Sequence, residues 1–170
     1  KSTIRGYQTA QRNANDAISL VQIAEGGLNE ISNIVTRMRE LSVQASSDTV
    51  GDLERTFIDK EVQQLKNEAE RISQVTRFGQ IHLLNGEGES FDFQVDINNH
   101  EFNDRISFNS ADINATTSAL GIDGFDFSTK DGAREALEVL EASQKAVNGH
   151  RATLGAIQNR LVSTTENLAI

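Results

Sequence analysis

Tyr7, Ala10, Ala14, Ala17, Val21, Ala24, Leu28, Ile31, Val35 and Met38 follow one another at a strict alternation of three and four residues. Ten consecutive positions on one such seam fit a helix packed lengthwise on others at a shallow angle, knobs into holes. Ser42 is the one polar break before Ala45 resumes the pattern. The four alanines of the seam are small enough to let neighbouring helices approach closely. Gly26 and Gly27 each cost a helix about 1 kcal/mol relative to Ala, yet the seam crosses them without a change of register, so one helix is expected over residues 1–46. The chain contains no proline, so no segment of it is barred from helix or strand.

The polar stretch Ser46–Gly51 reads as a turn, with Asp52 as the N-cap of a second helix over 52–76. Ile58, Val62, Leu65, Ala69 and Ile72 carry its seam, and the short link implies an antiparallel pair. Between residues 77 and 128 the period changes. Seven of the eight Phe fall here, and Phe91, Phe93, Val95 and Ile97 alternate with polar residues as in a half-buried strand. Arg105–Phe108 reads as the returning strand, and Asn85-Gly86, Gly88 and the Gly121–Gly124 segment as turns. A third helix over 129–170 has Ser128 or Thr129 as its cap. Its seam is Ala136, Leu140, Ser143, Val147, His150, Leu154, Ile157, Leu161, Thr164 and Leu168. The expected fold is mainly α: one domain over residues 1–170, an elongated antiparallel rod of three long helices with coiled-coil-like seams. A small β-hairpin region lies between helices two and three. A helix of forty residues spans about 60 Å. The first helix begins uncapped and the last is still in phase at Ile170, so the chain reads as cut from something longer.

Charge and composition exclude several roles. With 25 acidic against 16 basic residues the net charge is -9, unsuited to nucleic acid or an anionic membrane surface. No run of 18 apolar residues exists that would span a membrane. Cysteine is absent, which removes disulfides, thiolate metal sites and cysteine nucleophiles. His82, His100 and His150 stand apart in sequence and form no zinc-binding pair, and His150 reads as a hydrogen-bonded or partly exposed seam residue. Asp92, Asp96, Asn98, Glu101 and Asp104 fail the grammar of a calcium loop. Counted from Asp96, the sixth position is Glu101 instead of Gly and the twelfth is Ser107 instead of Glu. Asn114-Ala115-Thr116 is a lone glycosylation tripeptide. No phosphate-binding or nucleophile-elbow motif is present, and no cofactor or catalytic residue is expected.

The segments Gln11–Ser19, Ala24–Ile31 and Arg37–Ala45 (RMRELSVQA) closely resemble bacterial flagellin. Glu68–Ser73, Phe78–Gly86, Phe93–Val95 and Leu154–Leu161 (LGAIQNRL) continue the resemblance in order over nearly the whole chain. Two departures stand out. A short Phe-rich segment replaces the family's outer variable domains, and the terminal segments that make the innermost layer of the filament are missing. The resemblance implies the rod domain of a filament subunit, extracellular and non-enzymatic, with other flagellin subunits as partners. It also implies an export chaperone bound through the missing C-terminal segment. A hook–filament junction protein shares this architecture and is the alternative, although RELSVQA favours flagellin.

The resemblance further implies recognition by the flagellin-sensing Toll-like receptor of a host. The family's contact motif maps onto Arg37, Leu41 and Glu61, with Gln44 and Gln64 as flanking polar contacts. Spacing puts Arg37 and Leu41 four residues apart on an outward flank of the first helix, with Glu61 on the margin of the second. Thr36 replaces the polar amide common before this Arg. The competing reading of Arg37 and Glu61 is solvated rod charges, or contacts between neighbouring subunits.

Overall fold

The computed structural model describes residues 2–100 and 104–169. Lys1, Glu101 and Ile170, respectively the expected start of the first helix, the sixth calcium-loop position and the last residue in phase, lie outside the described residues. The long helices are α1 (Ser2–Ala45), α2 (Asp52–Val75) and α4 (Lys130–Ala169). Between α2 and α4 come β1 (Arg77–Phe78), β2 (Ile81–His82), β3 (Ser90–Gln94), β4 (Arg105–Asn109), a 3-10 turn (Ser110–Asp112) and the short α3 (Thr117–Leu120).

The 44 residues of α1 span about 66 Å. This helix is the spine: α4 packs along it on one flank and α2 on another. The seam residues from Ala10 to Met38 are buried, as are Ile58, Val62, Ala69 and Ile72 on α2 and Leu140, Val147, Leu154 and Leu161 on α4. Ser42, the polar break in the seam, is fully buried and donates to the Ala133 carbonyl at 2.5 Å, tying α1 to the start of α4. Tyr7 departs from expectation, being 40% exposed. It stands one turn before Ala10, the first buried residue of the seam, in a stretch of α1 that is mostly exposed.

Helix α1 runs unbroken through both glycines. A Cβ on Gly27 would lie 2.7 Å from Leu84 Cδ1 and 2.8 Å from Thr76 Oγ1, whereas Gly26 faces open space. Gly27 therefore lets the end of α2 and the following loop press onto the spine. Beyond that point the hairpin takes over from α2 as the third layer. Asn13 Nδ2 donates to the Gln94 carbonyl at 3.0 Å, and Ile97 Cγ2 would be 2.9 Å from a Cβ on Gly6.

Strands β3 and β4 pair antiparallel with Phe91 opposite Phe108 and Phe93 opposite Ile106. Phe91 stacks on Phe93 at 5.8 Å and on Phe108 at 6.1 Å, and Ile106 and Phe108 are buried. The first strand is shorter than the expected 91–97. Val95 still donates to the Asp104 carbonyl at 2.8 Å, but Asp96 Oδ1 then accepts the Ile97 N–H at 2.8 Å, which turns the chain and leaves Ile97 41% exposed. Asp52 is the first residue of α2 instead of its cap: Gly51 holds the cap position without a side-chain bond, and Asp52 pairs with Arg55 at 3.0 Å. At α4 the expected cap is present, Thr129 Oγ1 accepting the Gly132 N–H at 3.0 Å.

Candidate functional site

Five residues singled out in the sequence fall on adjacent stretches of α1 and α2. The antiparallel pairing brings Arg37 against Glu61: NH2 donates to Oε1 at 3.2 Å and to Oε2 at 3.3 Å, and Nε to Oε1 at 3.3 Å. The remaining NH1 donates to Glu40 Oε2 at 3.2 Å. Two carboxylates thus hold the guanidinium from both sides. Their hydrogen bonds, that of Glu40 first and then that of Glu61, push the Arg37 pKa above its ordinary value. The side chains of Arg37 and Glu61 stay open to solvent, at 48% and 44% exposure. Gln44 and Gln64 are exposed nearby on the same two helices.

Leu41 does not belong to this surface. The expectation of an outward flank fails, because Leu41 is 2% exposed and sits in the core. One heptad seam gives a helix one packed face, whereas α1 has two neighbours. Leu20, Gly27, Ile34 and Leu41, seven residues apart, form a second buried stripe beside the seam. That repeat is readable in the sequence and was the signal available. Among residues that sequence reasoning missed, Arg55 is 6% exposed and its guanidinium donates to the carbonyls of Ala45 at 2.8 Å and Ser47 at 2.7 Å. Glu40 was missed as well; only its ion pair with Arg37 marks it.

Elsewhere the molecule offers shallow clefts. The region of His150, Ser107, Asp112 and Ile113 encloses about 350 Å³, and His150 is half-buried there, as expected for a seam histidine. Burial holds its pKa below the ordinary 6.5, against the hydrogen bond to the Asn114 backbone. Among the described residues no group of three or more His, Asp or Glu lies together to hold a metal ion.

An elongated helical rod, extended on one flank by a two-stranded hairpin, is a fold shared with flagellar proteins. The crystal structure of Bacillus cereus flagellin superposes with a TM-score of 0.81 at 29% identity, covering 92% of this chain and 88% of that one. A flagellar hook-associated protein from Vibrio parahaemolyticus shares the fold, with a TM-score of 0.75 at 13% identity over 98% of this chain and 86% of that one. The family model of the bacterial flagellin N-terminal helical region matches residues 1–89. The chain belongs to the bacterial flagellin family. It is 38% identical over 168 residues to the flagellin of Halalkalibacterium halodurans, spanning 99% of this chain and 61% of that relative. Flagellin B of Vibrio anguillarum is 40% identical over 120 residues, spanning 71% of this chain and 31% of its own length.

Proposed function

We propose that this chain is the rod of a flagellar filament subunit, extracellular, non-enzymatic and assembled with further copies of flagellin. The observation that carries this reading is similarity to a flagellin over 99% of the chain at 38% identity, joined to a rod whose chemistry lies along its flanks. An export chaperone is a further partner on this reading. Mass spectrometry of sheared filaments from cells expressing the chain tests it. Peptides of the chain should be a major component along the filament. Confinement to a few copies at the filament base would favour the hook–filament junction instead.

The same reading includes recognition by the flagellin-sensing Toll-like receptor through Arg37, Gln44, Glu61 and Gln64. Arg is enriched among interface hot spots, and its fork can grip a carboxylate or carbonyl of a partner. Glu40 and Glu61 fix that fork in place on the free rod. Leu41, being buried in the core, enters this reading as a packing residue and not as a contact. Arg37→Ala should weaken receptor binding by about 2 kcal/mol, the size of a hot-spot loss, without moving the melting temperature. Leu41→Ala should instead lower stability by about 2–5 kcal/mol. Unchanged binding and signalling by Arg37→Ala would count against the receptor reading.

A further inference from the structure

We propose that Asn85-Gly86 is a site of self-modification, deamidation to aspartate and isoaspartate, which the docked loop blocks and any opening of that loop releases. The inference is independent of the filament reading and rests on the chemistry of this loop alone.

An asparagine followed by glycine is the pair most open to this reaction, because no Cβ shields the glycine nitrogen. That nitrogen attacks the Asn Cγ, and the new N–Cγ bond closes a succinimide ring. The Cγ–Nδ2 bond breaks, and the amine leaves as ammonia with the proton of the glycine N–H. Water then opens the ring at either carbonyl. One opening gives aspartate; the other routes the main chain through the side chain and gives isoaspartate. Water is the one co-reactant.

The folded loop holds every atom of that step. The Gly86 N–H, the nucleophile, donates to the Ile113 carbonyl at 3.1 Å. Asn85 Nδ2, the leaving amine, donates to Gln74 Oε1 at 3.1 Å, and Asn85 Oδ1 accepts the Glu87 N–H at 3.0 Å. Asn85 is 7% exposed, and just before it the Leu84 carbonyl accepts the Ala115 N–H at 2.7 Å. Ring closure turns the Gly86 nitrogen away from Ile113, so these bonds must break first. The labile pair is nevertheless required by the fold. Gly86 has a φ of 77°, and a Cβ there would lie 2.8 Å from Asn114 Nδ2. Asn85 in turn uses its amide both as donor and as acceptor.

The products do not fit back. A carboxylate at position 85 has no proton for Gln74 Oε1, and Gln74 Nε2 already serves Glu70 at 3.3 Å. Isoaspartate lengthens the main chain between the Leu84–Ala115 and Gly86–Ile113 bonds, so the two lose their common register. Leu83 and Leu84 beside them are fully buried, and Leu84 sits over the notch at Gly27. A chain modified while its loop is open is therefore barred from re-docking that loop on the spine.

Asn148-Gly149 is the internal comparison: the same pair, exposed, within α4. Purified protein is held in mildly alkaline buffer, folded or unfolded in guanidinium chloride, and its peptides are assayed for isoaspartate with an isoaspartyl methyltransferase. Isoaspartate at Asn85 should form at least about tenfold more slowly in the folded protein, since the site reacts only when open. Gln74→Ala removes one hydrogen bond and should raise the folded-state rate at Asn85 by about threefold, with Asn148 and both unfolded rates unchanged. Equal rates at Asn85 in folded and unfolded protein would overturn the proposal. So would Gln74→Ala speeding both sites alike, which would assign the effect to the rod as a whole. The comparison of folded with unfolded protein needs no substitution, so misfolding of the variant leaves the test standing.

Discussion

One guanidinium closes the turn between the first two helices. The last carbonyls of a helix lack partners within it, and Arg55 supplies them to Ala45 and Ser47 from a site 6% exposed. Hydrogen bonds to a charged group contribute about 1.5–3 kcal/mol, so Arg55→Ala should lower stability in urea unfolding by about that amount. Arg55→Lys should recover little of it, because an ammonium cannot fork to both carbonyls. A loss below about 0.5 kcal/mol, the range of ordinary surface changes, would contradict this assignment. His150 gives a pH dependence of definite sign. Its folded pKa is depressed by burial, so the unfolded chain takes up the proton first. Stability from this residue is complete above pH 6.5 and is lost as the pH falls from there through the folded value. Melting curves across that window should show the decline, and His150→Gln should flatten it. A wild-type stability that rises as the pH falls there would refute the assignment.

At the scale of elements, the paired glycines of α1 separate propensity from packing. Gly26→Ala, in open space, should raise stability by about 0.5–1 kcal/mol through helix propensity. Gly27→Ala gains the same propensity but drives a methyl into Leu84 and Thr76, and overpacking of that kind costs about 1–3 kcal/mol. Thermal melts giving the opposite order would show that the loop after α2 does not press on the spine. The three long helices were legible because each keeps a 3,4 repeat for five or more positions. A single seam does not place Leu41, because α1 has two neighbours and buries a second stripe. The four-residue α3 has too few residues for any period. Its neighbours cap it, Thr116 Oγ1 accepting the Ala119 N–H at 3.2 Å and Gly121 ending it at a φ of 76°. Partners distant in sequence then anchor it, Glu70 Oε1 accepting the Thr117 N–H at 3.1 Å and Ser143 donating to the Leu120 carbonyl at 2.5 Å. The Arg37–Glu61 pair was legible in outline, since antiparallel helices joined by a short turn bring residues 24 apart together. Arg55 was not legible, because a lone arginine in a helix looks the same buried or solvated.

Taken whole, the molecule is one spine with a composite third layer, helix along one stretch and hairpin along the other. Its two ends differ in consequence. Residues 2–9 of α1 are mostly exposed, whereas Ile31, Val35, Met38 and Leu41 are buried beneath neighbours. Local opening follows burial, so within α1 amide exchange should be fastest at residues 2–9 and slowest around residues 28–42; uniform exchange along α1 would contradict the packing described. A rod built on one long spine with charged, exposed flanks is suited to packing side by side with further copies, as proposed for this chain. Electron cryomicroscopy of filaments sheared from cells that express the chain would decide whether it builds the wall. The wall should consist of side-by-side helical rods about 66 Å long, into which this structure fits along its length. A filament wall that contains no such rod, or rods of this chain only at the hook junction, would contradict it.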